Sequence, residues 1–217
     1  MLLLGLDTAT PAVTVALHDG GQPLGQLVTV GAHRHTEVLA PAISKVIAEA
    51  GATKDELTGI AVGVGPGPYT GLRVGIVTAR VLGAALDIPV YGVCTLDIIA
   101  DDTQCAGAFL VTTDARRREV YWAAYDANRA RVAGPAVGAP ADVPGRERPT
   151  AGEGALLYPA LFETGVGPTY PAAATLCRMV ASALAGDGDT VLLPPDPLYL
   201  RRPDAREPGA PKRVSQS

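Results

Sequence analysis

From Gly63 to Gly75 the chain reads Gly-Val-Gly-Pro-Gly-Pro-Tyr-Thr-Gly-Leu-Arg-Val-Gly, a segment rich in exposable backbone amides. It is not a P-loop, because no Gly-Lys-Ser/Thr follows. Nor is it the dinucleotide fingerprint, because Thr70 stands where the third glycine belongs. Thr70 suits the N-cap of a helix, which would leave the amides of Gly71, Leu72 and Arg73 for an anion. The same glycines also fit a tight connection that lets a helix lie close to a sheet. Asp7 ends the first apolar run, where a carboxylate can hold Mg²⁺ or a water beside a phosphate, or simply shape a turn. Asp114 stands in a matching place and has the same two readings. The candidate nucleotide or anion contacts are therefore Asp7, Thr8, Thr70, Gly71 and Arg73.

Other reactive residues form no recognisable constellation. His18, His33 and His35 lack a third residue at metal-ligand spacing and read as structural or solvated. The cysteines, Cys94, Cys105 and Cys177, are odd in number and contain no Cys-x-x-Cys, which fits reduced thiols in the cytoplasm. There is no nucleophile elbow. Arg116-Arg117-Arg118 is a basic cluster that serves either as a solvated face or as a phosphate or RNA contact. No catalytic residue and no metal ligand set is assigned.

These residues must be positioned by a mixed framework. Apolar runs at 2–6, 13–17 and 24–30 predict a three-stranded antiparallel meander, with Asp19-Gly20-Gly21 as a hairpin turn. Helical spacing over 36–50 follows, with Pro41 about one turn inside. A strand at 59–65, a helix at 70–86 and a strand at 89–93 complete a β-β-β-α-β-α-β order. The second half opens alike, with strands at 108–112 and 120–125. Asp7 and Asp19 are twelve residues apart, as are Asp114 and Asp126, and the two pairs are offset by 107 residues. That spacing suggests duplication. From 128 to 149 there is little periodicity, and only one further helix, 169–185, is evident. The reading is a first domain at 1–102, a reduced copy at 103–202, and a tail at 203–217 expected to be disordered.

Within the helix at 70–86, Gly71, Gly75, Ala79 and Gly83 recur every four residues and form one small ridge. The other faces are apolar nearly all round, so more than one side must be covered, by the same chain, by a partner, or by both. Composition limits the partners. The 217 residues are 47% hydrophobic and 18% charged with a formal net charge of −4. That is enough for a substantial core, too apolar for disorder, and too acidic for a stand-alone nucleic-acid binder. The opening run is expected not to be a signal peptide, because it lacks a basic start and Asp7 ends it. The most apolar stretch, 74–93, is broken by Arg80, Asp87 and Pro89 and predicts no membrane span.

The segments Leu4-Gly5-Leu6-Asp7-Thr8-Ala9-Thr10, Gly65 through Gly75, Asp114-Ala115-Arg116 with Glu119-Val120-Tyr121-Trp122, and Pro197-Leu198-Tyr199-Leu200-Arg201 occur in an order that resembles the TsaB/YeaZ family. Pro68-Tyr69 replaces the Ser-Phe common there. The resemblance implies an α/β fold of two ribonuclease H-like domains, the second reduced, within the actin/Hsp70/sugar-kinase superfamily. It implies a cytoplasmic, non-catalytic scaffold for a TsaD-like subunit, with a TsaE-like ATPase as third member. That assembly transfers a threonylcarbamoyl group to N6 of adenosine 37 in tRNAs reading ANN codons. The chain is expected to form a homodimer when isolated and to meet tRNA only within the complex. The partner interface is expected at Gly71, Gly75, Ala79 and Gly83 together with Val38 and Val46. No resident cofactor is implied, with ATP or ADP placed at most at a subunit junction. Where TsaD carries two metal-binding histidines, Thr95 and Ile99 stand here, and isoleucine cannot ligate a metal. The rival reading is an ATP-using or metal-dependent enzyme of the same superfamily acting alone.

Overall fold

The computed structural model describes residues 1–31, 35–164 and 166–201, so His33 and the 203–217 tail lie outside the described residues. Strand β1 (Leu3–Asp7) is buried throughout, as its unbroken apolar run requires. It pairs antiparallel with β2 (Val13–His18) and parallel with β4 (Gly59–Gly63). Strands β3 (Pro23–Thr29) and β5 (Val90–Val93) complete a sheet ordered β3-β2-β1-β4-β5. Helices α1 (His35–Glu49) and α2 (Tyr69–Leu86) cover one face. Leu4, Leu6, Val13 and Val15 from the sheet meet Leu39, Ile43, Val46, Leu72 and Ile76 from the helices there.

The second sheet repeats this plan. Strands β6 (Phe109–Asp114), β7 (Val120–Tyr125) and β8 (Arg131–Gly138) form the meander; β9 (Pro149–Ala151) and β10 (Glu163–Thr164) add on in parallel. Read from its edge the order is β8-β7-β6-β9-β10, so the ribonuclease H-like arrangement occurs twice. Strand β8 falls within the stretch that shows no sequence periodicity. It is an outer strand that carries Gly134-Pro135 at an irregularity in its pairing with β7, a setting in which a strand tolerates proline. The reduction of the second half is visible in α4 (Glu153–Leu157), five residues where α2 has eighteen.

Two helices lie between the sheets: α3 (Thr95–Asp101), which sequence periodicity missed, and α5 (Ala173–Ala185). Packing does not follow a division at residue 102. Helix α3 lies on β6 and β7 of the second sheet, whereas α5 lies on β1 and β2 of the first. The layers run α1 and α2, first sheet, α5 and α3, second sheet, α4. The chain then returns across this sandwich. Gly92 at the edge of β5 exchanges two 2.8 Å backbone hydrogen bonds with Leu193, and Leu198 N–H donates to the Val64 carbonyl at 2.8 Å. Among the described residues no helix is long and apolar enough to cross a membrane.

Candidate functional site

The ends of β1 and β4 bring the candidate residues together. Asp7 is fully buried, and both its oxygens are engaged: Ala9 N–H donates to Oδ1 at 2.8 Å and the Thr95 hydroxyl donates to Oδ2 at 2.7 Å. Thr95 in turn holds Gly65, accepting from its N–H at 3.1 Å and donating its own N–H to the Gly65 carbonyl at 2.8 Å. Position 63 must be glycine, since a Cβ would stand 1.7 Å from Asp7 Oδ2. Burial raises the Asp7 carboxyl from 3.8 to about 6, against the lowering effect of the Thr95 and Ala9 hydrogen bonds. Asp7 therefore ties β1 to the glycine loop and to α3, and lies beneath the surface that a ligand would meet.

Thr8 is used differently. Its hydroxyl donates to the Gly71 carbonyl at 2.7 Å and accepts from Gly75 N–H at 2.9 Å, inside the first turns of α2. Helix α2 begins at Tyr69 with Pro68 at the N-cap, so Thr70 does not cap it. Proline lacks an N–H and its fixed φ suits entry to a helix, which moves the start ahead of the expected threonine. The loop before the helix is held from the other half by Tyr121, whose hydroxyl donates to the Gly67 carbonyl at 3.3 Å.

A cleft of about 300 Å³ opens between the halves, lined by Thr8, Thr10, His35, Thr70, Gly71 and Arg116 among others. Of the five candidate contacts, Thr8, Thr70 and Gly71 line this cleft, Asp7 lies under it, and Arg73 lies elsewhere. His35 Nε2 is 3.0 Å from the Thr10 carbonyl, and His18 is buried with Nδ1 accepting from Gly20 N–H at 3.0 Å. Arg116, Arg117 and Arg118 form a turn with φ near +60° at all three positions, a backbone region that non-glycine residues enter at a cost. Asp114 supports that turn by accepting from Arg116 N–H at 2.8 Å and pairing with its guanidinium at 3.2 Å. Thr95 and Ile99 are both fully buried, and no cluster of three His, Cys, Asp or Glu side chains with metal-site geometry occurs among the described residues.

The small ridge of α2 faces inward. Gly71, Gly75, Ala79 and Gly83 are all buried within the chain. A Cβ at Gly75 would lie 2.4 Å from Thr8 Oγ1, and one at Gly83 2.4 Å from Val90 Cγ2. The ridge therefore seats α2 on its own sheet and is not the free face expected from the sequence. Val46 is likewise buried in the core, and Val38 packs against it. The outward face carries Val77, 50% exposed, and Val81, 61% exposed. Beside it runs a groove of about 450 Å³ between α1 and α2, lined by Thr36, Leu39, Ala40, Tyr69, Arg73 and Val77. The sequence indicates that more than one side of α2 must be covered, but it places the partner on the small ridge, because small residues indicate close packing without indicating against what.

Comparison with known proteins agrees with this architecture. The family model for TsaD, tRNA N6-adenosine threonylcarbamoyltransferase, matches residues 26–205. An uncharacterized protein of Mycobacterium tuberculosis is 48% identical over 209 residues, covering 94% of this chain and 93% of that one. The tRNA threonylcarbamoyladenosine biosynthesis protein TsaB of Escherichia coli is 36% identical over 134 residues, covering 58% of this chain and 55% of its own. The solved structure of YeaZ from Pseudomonas aeruginosa superposes with a TM-score of 0.75 at 31% identity, covering 92% of this chain and 99% of that one. Its twice-repeated sheet order, its glycine loop and this near full-length structural match agree: the chain belongs to the TsaB/YeaZ family.

Proposed function

We propose that this chain takes part in threonylcarbamoyladenosine biosynthesis as a non-catalytic subunit, docking a TsaD-type catalytic partner on the outward face of α1 and α2. The product is the modified adenosine 37 of tRNAs reading ANN codons, made in the cytoplasm with a TsaE-like ATPase as further member. The observation that carries this reading is the exposed face of α2. Val77 and Val81 lie half or more exposed on a helix otherwise seated on its own sheet, beside the groove. Apolar surface of this kind favours a protein partner. In isolation a second copy takes the same face.

The state of Asp7 supports a non-catalytic role. Asp7 is the carboxylate that the sequence offers for a Mg²⁺ or a water beside a phosphate, and here both its oxygens are engaged by Ala9 and Thr95 under the surface. A nucleotide at a subunit junction would meet Thr70 and Arg116 in the cleft instead, since the Thr8 hydroxyl is committed to Gly71 and Gly75. The net charge of −4 leaves tRNA contact to the assembled complex.

The test is co-purification with the TsaD-type protein of the same organism, together with tRNA analysis in a strain lacking this chain. The reading predicts a stable pair and loss of threonylcarbamoyladenosine on deletion. Normal modification in the deletion strain, or transfer activity by the isolated chain, would overturn it.

A further inference from the structure

We infer that the C-terminal strap, residues 192–201, extends the partner surface, and that Tyr199 is a positioning residue that holds Tyr69 ready for that contact. This rests on the partner reading above. Tyr69, the first residue of α2, lines both the groove between α1 and α2 and the cleft between the halves. It is 47% exposed, yet it is gripped on two sides. The Tyr199 ring stacks on it at 5.3 Å between centroids and 20° between planes, and the Arg73 guanidinium carbon stands 5.1 Å from its ring centre. Arg73 also donates a hydrogen bond to the Tyr69 hydroxyl. An exposed tyrosine ordinarily samples several rotamers; this one is held by two contacts within its own chain. Rigid tyrosines flanked by arginine recur as anchors of interfaces, and ordering them in advance removes part of the entropy loss on binding.

The strap that carries Tyr199 is fixed without that ring. Leu193 is paired to Gly92 and Leu198 to Val64 through backbone hydrogen bonds. Leu198 and Leu200, partly buried, pack against the core between α3 and the second sheet. Arg201 binds the Ala115 carbonyl at 3.3 Å and the Glu119 carboxylate. Asp196 pairs with Arg80 on the outward side of α2 at 3.1 Å, so the strap runs along the edge of the proposed partner face. Helix α2 carries Arg73 and Arg80 and no acidic residue. Arg80 is already neutralised by Asp196 and Arg73 is held at Tyr69, so what the face offers is the apolar surface of Val77 and Val81, and the partner segment that fits is an apolar helix of the TsaD-type subunit.

The experiment measures affinity of the full chain for the TsaD-type protein. Tyr199→Ala should weaken binding about tenfold, which corresponds to about 1.4 kcal/mol, with the melting temperature nearly unchanged. Tyr199→Phe, which keeps the stack and loses only the hydroxyl contact with Tyr69, should bind close to wild type, and Tyr199→Leu, which keeps bulk without the ring, should bind as weakly as Tyr199→Ala. In a Tyr69→Ala background the Tyr199→Ala change should add little, because the two act as one unit. Wild-type binding by Tyr199→Ala or Tyr199→Leu, or additive losses in the double variant, would overturn the inference. If Val77→Glu with Val81→Glu also left binding intact, the partner reading would fall, and the strap's role with it.

Discussion

The hydroxyl of Thr8 is built into the backbone ladder of α2 at Gly75, accepting from Gly75 N–H at 2.9 Å while donating to the Gly71 carbonyl at 2.7 Å. A side chain from the turn after β1 thus completes the hydrogen bonding of a helix more than sixty residues later. Groups inserted in this way set the local course of a helix. Here the course set is that of the helix bearing Val77 and Val81. Thr8→Val keeps the shape and removes a hydroxyl that makes two buried hydrogen bonds, which should cost about 1–3 kcal/mol. Thr8→Ser should restore most of it. Urea denaturation of the three proteins checks this; equal midpoints for valine and threonine would contradict the assignment.

The inward ridge gives a prediction of opposite kind from an interface. Ala79 has no exposed surface. Ala79→Leu should therefore destabilise the fold by about 1–3 kcal/mol through overpacking, while the folded fraction binds its partner normally. A melting temperature equal to wild type with lost pairing would put the ridge at the interface after all.

Asp7 makes stability depend on pH in a stated direction. Its carboxyl is raised from 3.8 to about 6 in the folded chain, chiefly by burial. The folded state thus holds its proton more tightly, so the stability this group contributes is fully present below about 4 and is lost as pH rises through about 6. Two pKa units correspond to about 3 kcal/mol at most. Asp7→Asn removes the titration, so the variant should gain on the wild type between pH 4.5 and 7. Denaturation curves at both ends of that window decide it; a difference between the two proteins that does not change with pH would contradict the burial argument.

What could be read from the sequence was local. The meander, the glycine loop and the pairing of Asp7 with Asp114 across the repeat rest on turn residues and apolar runs that a short window contains. The links that organise the site are not local. Thr95 reaches Asp7 across 88 positions, and Thr8 reaches Gly75 across 67. Hydroxyls leave no periodic trace, so neither link was visible. The ridge of α2 was legible as a ridge, but its direction depended on Thr8 and Val90, which line the surface it packs on. Tyr199 was legible as part of a motif, while its stacking on Tyr69 needed the strap's path across the glycine loop.

The most direct measurement is the threonylcarbamoyladenosine content of tRNA in cells whose sole copy of this chain carries Val77→Glu and Val81→Glu. Both sites are solvent-exposed, so the variant should melt as wild type does. Modification should fall to the level of the deletion strain. Normal modification with a correctly folded variant would show that the outward face of α2 is not where this protein acts.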